Sequence, residues 1–322
     1  MQSYEIWPIK GIEFSTIWLF LYEINNTIMK KALLSLVAAL SIGSLALSAQ
    51  TFNTTEDGKY TISTGDVTMT VDASRGGKIL SFKYQDNEVL SQTRMPNSFG
   101  STFWTSPQSE WNWPPVPEYD TKPFKAELNE KSLVLTGDKS ARFGYRVRKE
   151  FTVDSKDNAV VVKYTIINES GETRKVAPWE ISRVPNGGVV FFDAKEATPA
   201  NNMKGLPFTY EKGAAWYVMD EDKANRKINA DGKGWLAFCN NGLLFVKKFQ
   251  DLAPAEPAPA EAEIQIYANP GKTFVEIEEQ GAYVTLKPGE EADWTVRWYL
   301  VPTDEEPVPS KSLLKKAMKV VK

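Results

Sequence analysis

One aromatic segment, residues 99–115, concentrates the side chains that could bind a ligand. Indole rings stack on the apolar face of a pyranose, while amide and carboxylate groups hydrogen-bond the sugar hydroxyls. Prolines and a glycine predict that the segment is a loop, where binding residues concentrate. The alternative is a loop whose rings close the end of a β-sandwich as part of its core. The candidate ligand-binding side chains are Trp104, Gln108, Glu110, Trp111 and Trp113.

Acid–base chemistry in this chain must proceed without imidazole, because none of its 322 residues is a histidine. Carboxylic acids, tyrosine or water would have to move any proton. Zinc is disfavoured as well, since Cys239 is the one cysteine. The acidic clusters at 154–157 and 220–222 lack the spacing of a calcium loop, and no glycine-rich nucleotide fingerprint is present. We therefore expect no metal and no cofactor.

The bulk composition indicates a folded globular protein without a nucleic-acid partner. Hydrophobic residues make up 42% of the chain and aromatic residues 12%, which allows a large core. Lys and Arg number 38 against 41 Asp and Glu, which leaves a formal charge of -3. Such a balanced charge provides no positive field for a phosphate backbone or an anionic membrane.

Residues 29–49 have the order of a secretory signal peptide. Met29 is followed by two lysines, an apolar run that ends at Ile42, and small residues up to Ala49. This order predicts a periplasmic or secreted protein, cleaved after Ala49 and not inserted in a membrane afterwards. Residues 1–28 are too broken by charge for a membrane span, so we interpret them as a mis-assigned start or a disordered upstream segment. The alternative is that both parts form one anchor.

The remaining chain, residues 50–322, carries the pattern of a single all-β domain. Short β-branched and aromatic runs alternate with turn residues over nearly its whole length, and hairpins are predicted at 60–71 and 145–167. Many strands over this length predict a sandwich of two large antiparallel sheets. At 310–322, apolar residues recur at helical spacing among lysines and predict a short C-terminal helix.

Two segments of this strand pattern resemble the galactose mutarotase superfamily. The first begins at Tyr145 and includes Asn168-Glu-Ser-Gly171 and Ala177-Pro-Trp-Glu-Ile-Ser-Arg-Val184. The second is Phe274-Val-Glu-Ile-Glu-Glu-Gln280, followed by Leu286-Lys-Pro-Gly-Glu-Glu291. The resemblance implies a large antiparallel β-supersandwich, which aldose epimerases and other sugar-active proteins share. Residues 99–115 also resemble an uncharacterised secreted family within this superfamily, which implies the fold and no particular activity.

The same resemblance implies a site built around Glu278, which matches the position of the family's catalytic base. Relatives carry a substrate-binding histidine that also supplies the acid, and here Trp179 and Glu180 occupy its neighbourhood. Glu180 would then be the acid, while Trp179 and Arg183 would bind substrate. The alternatives are a solvated strand charge for Glu278 and an ordinary ion pair between Glu180 and Arg183.

The alternation of side chains along a strand indicates which way Glu278 points. Glu276 and Glu278 share one face of their strand, and Ile277 and Glu279 share the other. If the apolar Ile277 faces the core, Glu278 faces the open side of the sheet.

Together these features predict an exported protein that binds a mono- or oligosaccharide, with sugar epimerisation through Glu278 as a further activity. Two alternatives stay open. One is a glycan-modifying enzyme that uses Glu180 and Glu278 as a carboxylate pair. The other is a structural envelope protein without catalytic function.

Overall fold

The alternating apolar pattern folds into two antiparallel sheets that pack face to face. The computed structural model describes residues 50–95 and 98–321, so the predicted signal peptide and the segment before it lie outside the described residues. Within the described part of the chain, one sheet has 12 strands and the other has 10. Strands are numbered β1 to β22 in chain order.

The first sheet carries the candidate site. Its strands are β1 (Thr51–Thr54), β2 (Tyr60–Thr64), β3 (Val67–Asp72), β4 (Lys78–Tyr84), β5 (Asn87–Glu88), β6 (Ser101–Ser106), β11 (Arg174–Val184), β13 (Thr198–Pro199), β16 (Arg226–Ala230), β19 (Ile264–Ala268), β20 (Val275–Gln280) and β21 (Val284–Leu286). Their order is β1-β2-β3-β4-β6-β11-β20-β19-β16-β13, while β5 pairs with β4 and β21 with β11.

The second sheet supports the first from behind. Its strands are β7 (Lys125–Leu128), β8 (Leu133–Thr136), β9 (Tyr145–Asp154), β10 (Ala159–Asn168), β12 (Val189–Phe192), β14 (Thr209–Glu211), β15 (Ala214–Val218), β17 (Trp235–Asn240), β18 (Leu243–Lys248) and β22 (Glu291–Pro302). Their order is β14-β15-β12-β17-β18-β22-β10-β9-β8-β7. Both predicted hairpins are present, as β2–β3 and as β9–β10.

The core lies between the two sheets. In β9 the even-numbered residues from Arg146 to Glu150 are half-buried, whereas Tyr145, Val147 and Phe151 are fully buried. Phe103 of the first sheet stacks on Tyr164 of the second, with ring centroids 4.5 Å apart. Burial of these apolar faces is the main favourable term for the fold. The predicted antiparallel β-sandwich is therefore confirmed.

Two helices complete the described fold: α1 (Pro117–Asp120) and α2 (Lys311–Val321). The second is the predicted C-terminal helix, and the Ser310 hydroxyl caps it by accepting from the Leu313 backbone N–H at 3.1 Å. It buries Leu313, Ala317 and Val321 in a second apolar cluster with Trp235 of β17. No helix in the described ranges is both long and apolar enough to span a bilayer.

Strand β11 lies at the centre of the first sheet and is buried on both faces. One face contacts the second sheet, because Phe103 and Glu180 are cross-strand partners and Phe103 reaches Tyr164. The other face carries the neighbouring pair Trp104 and Trp179. We call this second face of the first sheet the site face.

Candidate functional site

Four indole rings form a cluster on the site face. Trp104 of β6 lies opposite Trp179 of β11, with ring centroids 5.6 Å apart. Trp111 and Trp113 approach the Trp104 ring to 5.4 and 6.2 Å. Trp113 is 57% exposed, whereas the other three rings are almost fully buried. Of the three indole rings in the aromatic segment, Trp104 and Trp111 are therefore packed and Trp113 is accessible.

A cavity of about 300 Å³ lies beside this cluster. That volume falls at the lower end of small-molecule sites, which range over about 300–1,000 Å³. Trp104, Trp113 and Trp179 line it on the aromatic side. Its polar lining consists of Ser98, Gln108, Asn201, Lys227, Tyr267, Asn269 and Glu276. The cavity thus combines flat apolar surfaces with several hydrogen-bonding groups.

The sequence predicted that the whole aromatic segment is a loop, but only part of it is. Residues Ser101–Ser106 form β6, a central strand, and the loop begins at Pro107. Every residue of β6 is buried, so this strand lacks the alternation that marks one buried face. Its β-branched and aromatic residues favour a strand, and proline constrains the chain only from Pro107 onward. A sheet therefore holds Trp104, and the loop holds Trp111 and Trp113.

Gln108 and Glu110 occupy the 3-10 turn that follows, but only the first reaches the cavity. The Gln108 backbone N–H donates to Glu261 Oε1 at 2.8 Å. Glu110 is exposed and does not line the cavity, and its carbonyl oxygen accepts from Arg142 at 2.7 Å.

Glu278 lies on the site face, as expected if Ile277 faces the core, and Ile277 is fully buried in the core cluster. Its Oε2 accepts from Trp179 Nε1 and from Lys227 Nζ, both at 2.9 Å. Burial raises the pKa of Glu278 to about 7; Lys227 opposes this rise and Glu276 adds to it. Glu278 has no exposed surface and does not line the cavity, whereas its two donors do.

Glu180 lies on the opposite face of the sheet from Glu278. The register pairs Ile181 with Glu278 and Glu180 with Glu279, so Glu180 points toward the second sheet. There it forms an ion pair with Lys247 of β18 and accepts from the Ser182 hydroxyl at 2.7 Å. The structure therefore does not bring the two predicted catalytic carboxylates together.

Arg183 is on the site face and pairs with Glu276, not with Glu180. Its NH2 group lies 2.7 Å from Glu276 Oε1, and its NH1 donates to the Phe99 carbonyl oxygen at 3.3 Å. The guanidinium also lies 5.7 Å from the centroid of the Trp104 ring. Since Arg183 is fully buried, it positions Glu276 and the indole and does not line the cavity.

Several residues of the cavity escaped the sequence analysis. Lys227 and Tyr267 are cross-strand partners on β16 and β19, and Tyr267 is in turn opposite Glu276. The strand order β20-β19-β16 places them beside Glu278, and no local pattern signals that order. Glu276 did have a signal, because it shares a strand face with Glu278.

The proline-rich loop after β18 closes one side of the site through Glu261. Gln280 Nε2 donates to Glu261 Oε2 at 2.6 Å and to the Ser106 hydroxyl at 2.8 Å. Burial raises the pKa of Glu261 above its usual range. This network fixes the loop against the end of β6.

No protein-family model and no curated protein sequence matches this chain. Solved structures do match. A galactose mutarotase-like protein from Lactobacillus casei is 12% identical with a TM-score of 0.51, covering 76% of this chain and 100% of its own. The chain has the galactose mutarotase-like fold.

Two further structures agree with this assignment. A galactose mutarotase-like protein from Clostridium acetobutylicum is 10% identical, with a TM-score of 0.50 over 79% of this chain and 98% of its own. A galactose mutarotase related enzyme from Lactobacillus acidophilus is 13% identical, with a TM-score of 0.50 over 78% and 100%. Such identities establish the mutarotase-like fold alone, because one fold hosts many functions.

Proposed function

We propose that this is an exported carbohydrate-binding protein that holds a mono- or oligosaccharide in the cavity of the site face. The observation that carries the proposal is the exposed Trp113 ring beside a cavity whose wall includes Trp104 and Trp179. An indole face matches the apolar face of a pyranose in shape and polarity. The mutarotase-like fold is consistent with a sugar ligand.

The polar groups of the cavity are held in place by ion pairs before any ligand arrives. Lys227 is fixed by Glu278 at 2.9 Å, and Glu276 by Arg183 at 2.7 Å. An ammonium has three donors and a carboxylate can accept several hydrogen bonds, so each retains capacity for sugar hydroxyls. Groups that are already ordered lose less entropy on binding, which favours affinity.

The position of Glu278 favours binding over turnover. A general base must lie within hydrogen-bonding reach of the proton that it removes. Glu278 is instead covered, and the groups that line the cavity above it are its own donors, Trp179 and Lys227. Epimerisation through Glu278 would therefore require one of these side chains to move aside.

A glycosidase-type carboxylate pair has less support than binding. Such enzymes place two carboxyl groups on either side of one scissile bond. Glu180 and Glu278 project from opposite faces of the sheet, so no single substrate can lie between them. The export part of the proposal is supported by the signal-peptide pattern from Met29 to Ala49.

Calorimetric titration of the mature chain, residues 50–322, with neutral mono- and oligosaccharides tests the proposal. Trp113→Ala should weaken binding roughly tenfold, since it removes the accessible stacking surface. Tyr210→Ala is the matched control, because Tyr210 is 45% exposed on the edge strand β14 and does not line the cavity. Absence of binding to the wild type, or equal binding by Trp113→Ala, would contradict the proposal and favour the structural alternative.

A further inference from the structure

We propose that the ligand is an uncharged oligosaccharide longer than a disaccharide, bound in a groove that crosses the site face. This inference rests on the proposed function and specifies its ligand class. Its basis is a row of adjoining cavities, of which the tryptophan-lined cavity is only the first.

Three cavities adjoin one another, because they share lining residues, and together they make up the proposed groove. Gln108, Trp113 and Met203 line both the first cavity and a second one of about 380 Å³. Ala260 and Glu261 line the second cavity and a third one of about 650 Å³. Asn201 lines all three. The groove therefore runs from the indole cluster, past Trp113, to the proline-rich loop.

The sheet beneath the groove gives its length. Trp104 lies on β6 and Thr198 on β13, and the strand order between them is β6-β11-β20-β19-β16-β13. Thr198 is the cross-strand partner of Asn229, and both line the third cavity. Five intervals between neighbouring strands span about 24 Å. That length is several times the width of one pyranose ring.

The residues that line the third cavity can hydrogen-bond sugar hydroxyl groups. Thr198, Asn201, Asn202 and Asn229 line the third cavity and supply hydroxyl and amide groups that both donate and accept. Side chains of this kind recognise sugar hydroxyls without requiring a charge on the ligand.

The charge along the groove disfavours acidic glycans. Four carboxylates line it, those of Glu196, Asp231, Glu261 and Glu276, whereas Lys227 is the one cation among its described lining residues. Lys227 is moreover paired with Glu278 and Glu276 with Arg183, which leaves the carboxyl groups of Glu196, Asp231 and Glu261 without a cationic partner among the described residues. A uronic-acid or sulfated chain would meet like charges, which costs binding free energy. We therefore assign the groove to a neutral chain.

The experiment measures affinity as a function of ligand length. The probes are glucose, galactose and their 1,4-linked oligomers of two to six residues, with oligogalacturonides of equal length as the acidic series. The wild type should bind the hexamers roughly tenfold or more tightly than the dimers of the same sugar, and the acidic series more weakly at every length.

A pair of threonine variants localises the effect. Thr198→Arg fills the far end of the groove and should remove the gain in affinity with ligand length. Thr51→Arg is the matched control, since Thr51 is also exposed but lies on β1, the opposite edge strand of the same sheet. Melting temperatures equal to that of the wild type confirm that both variants fold.

Two different failures are distinguishable. If mono- and disaccharides bind as tightly as hexamers, or if Thr198→Arg leaves the length dependence intact, the inference of an extended groove is wrong. The proposed function, sugar binding in the first cavity, then still stands. If no probe of any length binds, the proposed function fails and the groove fails with it.

Discussion

Glu278 holds two lining residues of the cavity in place but does not itself line the cavity. Its Oε2 holds both Trp179 and Lys227, and its Oε1 has no hydrogen-bond partner among the described residues. Burial raises the pKa of Glu278 to about 7, because Lys227 and Trp179 do not fully offset the cost of desolvating the carboxylate. Burial thus favours the protonated carboxyl group in the folded protein, which makes the stability of the protein sensitive to pH.

Glu278→Gln tests this pKa through stability. Folded Glu278 keeps its proton up to pH about 7, whereas in the unfolded chain it loses its proton near pH 4.5. The contribution of Glu278 to stability is therefore complete below pH 4.5 and is lost as the pH rises toward 7. Because Gln does not titrate, Glu278→Gln should gain stability relative to wild type, on the order of 2 kcal/mol, between pH 5 and pH 8.

Urea unfolding of both proteins at the two pH values measures that gain. Glu169→Gln is the control: the Arg146 partner lowers the pKa of the Glu169 carboxyl, so it stays ionised across this range. Its difference from wild type should not change with pH. A stability difference for Glu278→Gln that is constant or decreasing from pH 5 to pH 8 would show that the pKa is not raised.

At the scale of elements, β11 and β20 carry different charged groups on their two faces. The site face holds Glu276 and Glu278, and the core face holds Glu180 and Glu279. Lys247 of the second sheet lies 2.5 Å from Glu279 Oε2 and also contacts Glu180. Burial and the neighbouring Glu180 raise the pKa of Glu279 well above its usual range, whereas Lys247 helps to lower the pKa of Glu180 against the effect of burial. This cluster joins the two sheets.

Removing the lysine from this cluster should be costly. Lys247→Met leaves a buried carboxylate without its cation, so we expect a loss of about 3–5 kcal/mol in the free energy of unfolding. Lys163→Met is the control, because Lys163 pairs with Asp293 at 3.3 Å where both side chains are partly exposed. Such surface pairs contribute under about 1 kcal/mol. Denaturant unfolding measures both free energies. Similar losses of unfolding free energy for Lys247→Met and Lys163→Met would mean that the cluster does not stabilise the fold.

The same two strands show what could be predicted from sequence. Periodicity along β20 placed Glu278 and Ile277 on opposite faces of the sheet, but it did not show that Glu278 is fully buried instead of open to solvent. The partner of Glu278 could not be predicted in this way, because the relation of Glu180 to Glu278 depends on the register between strands far apart in sequence. A shift of one residue in that register changes which face a side chain shares with its neighbour.

For the whole molecule, the sandwich and the C-terminal helix could be predicted because alternation and helical spacing are local properties of the sequence. The order of strands in the first sheet is not local, and it is what gathers Trp104, Trp179 and Lys227 around one cavity. Lys227 was missed for that reason. The signal peptide stays a prediction, since residues 29–49 lie outside the described part of the chain.

The most direct test of the proposed sugar site is an NMR titration of ¹⁵N-tryptophan-labelled protein, residues 50–322. The indole N–H signals are followed as the neutral oligosaccharide that calorimetry finds to bind best is added. The signals of Trp104, Trp113 and Trp179 should shift with the ligand. Those of Trp216 and Trp235, buried in the apolar cluster beneath α2, should not. Shifts confined to Trp216 and Trp235, or no shift of Trp113 at saturation, would contradict binding at the site face.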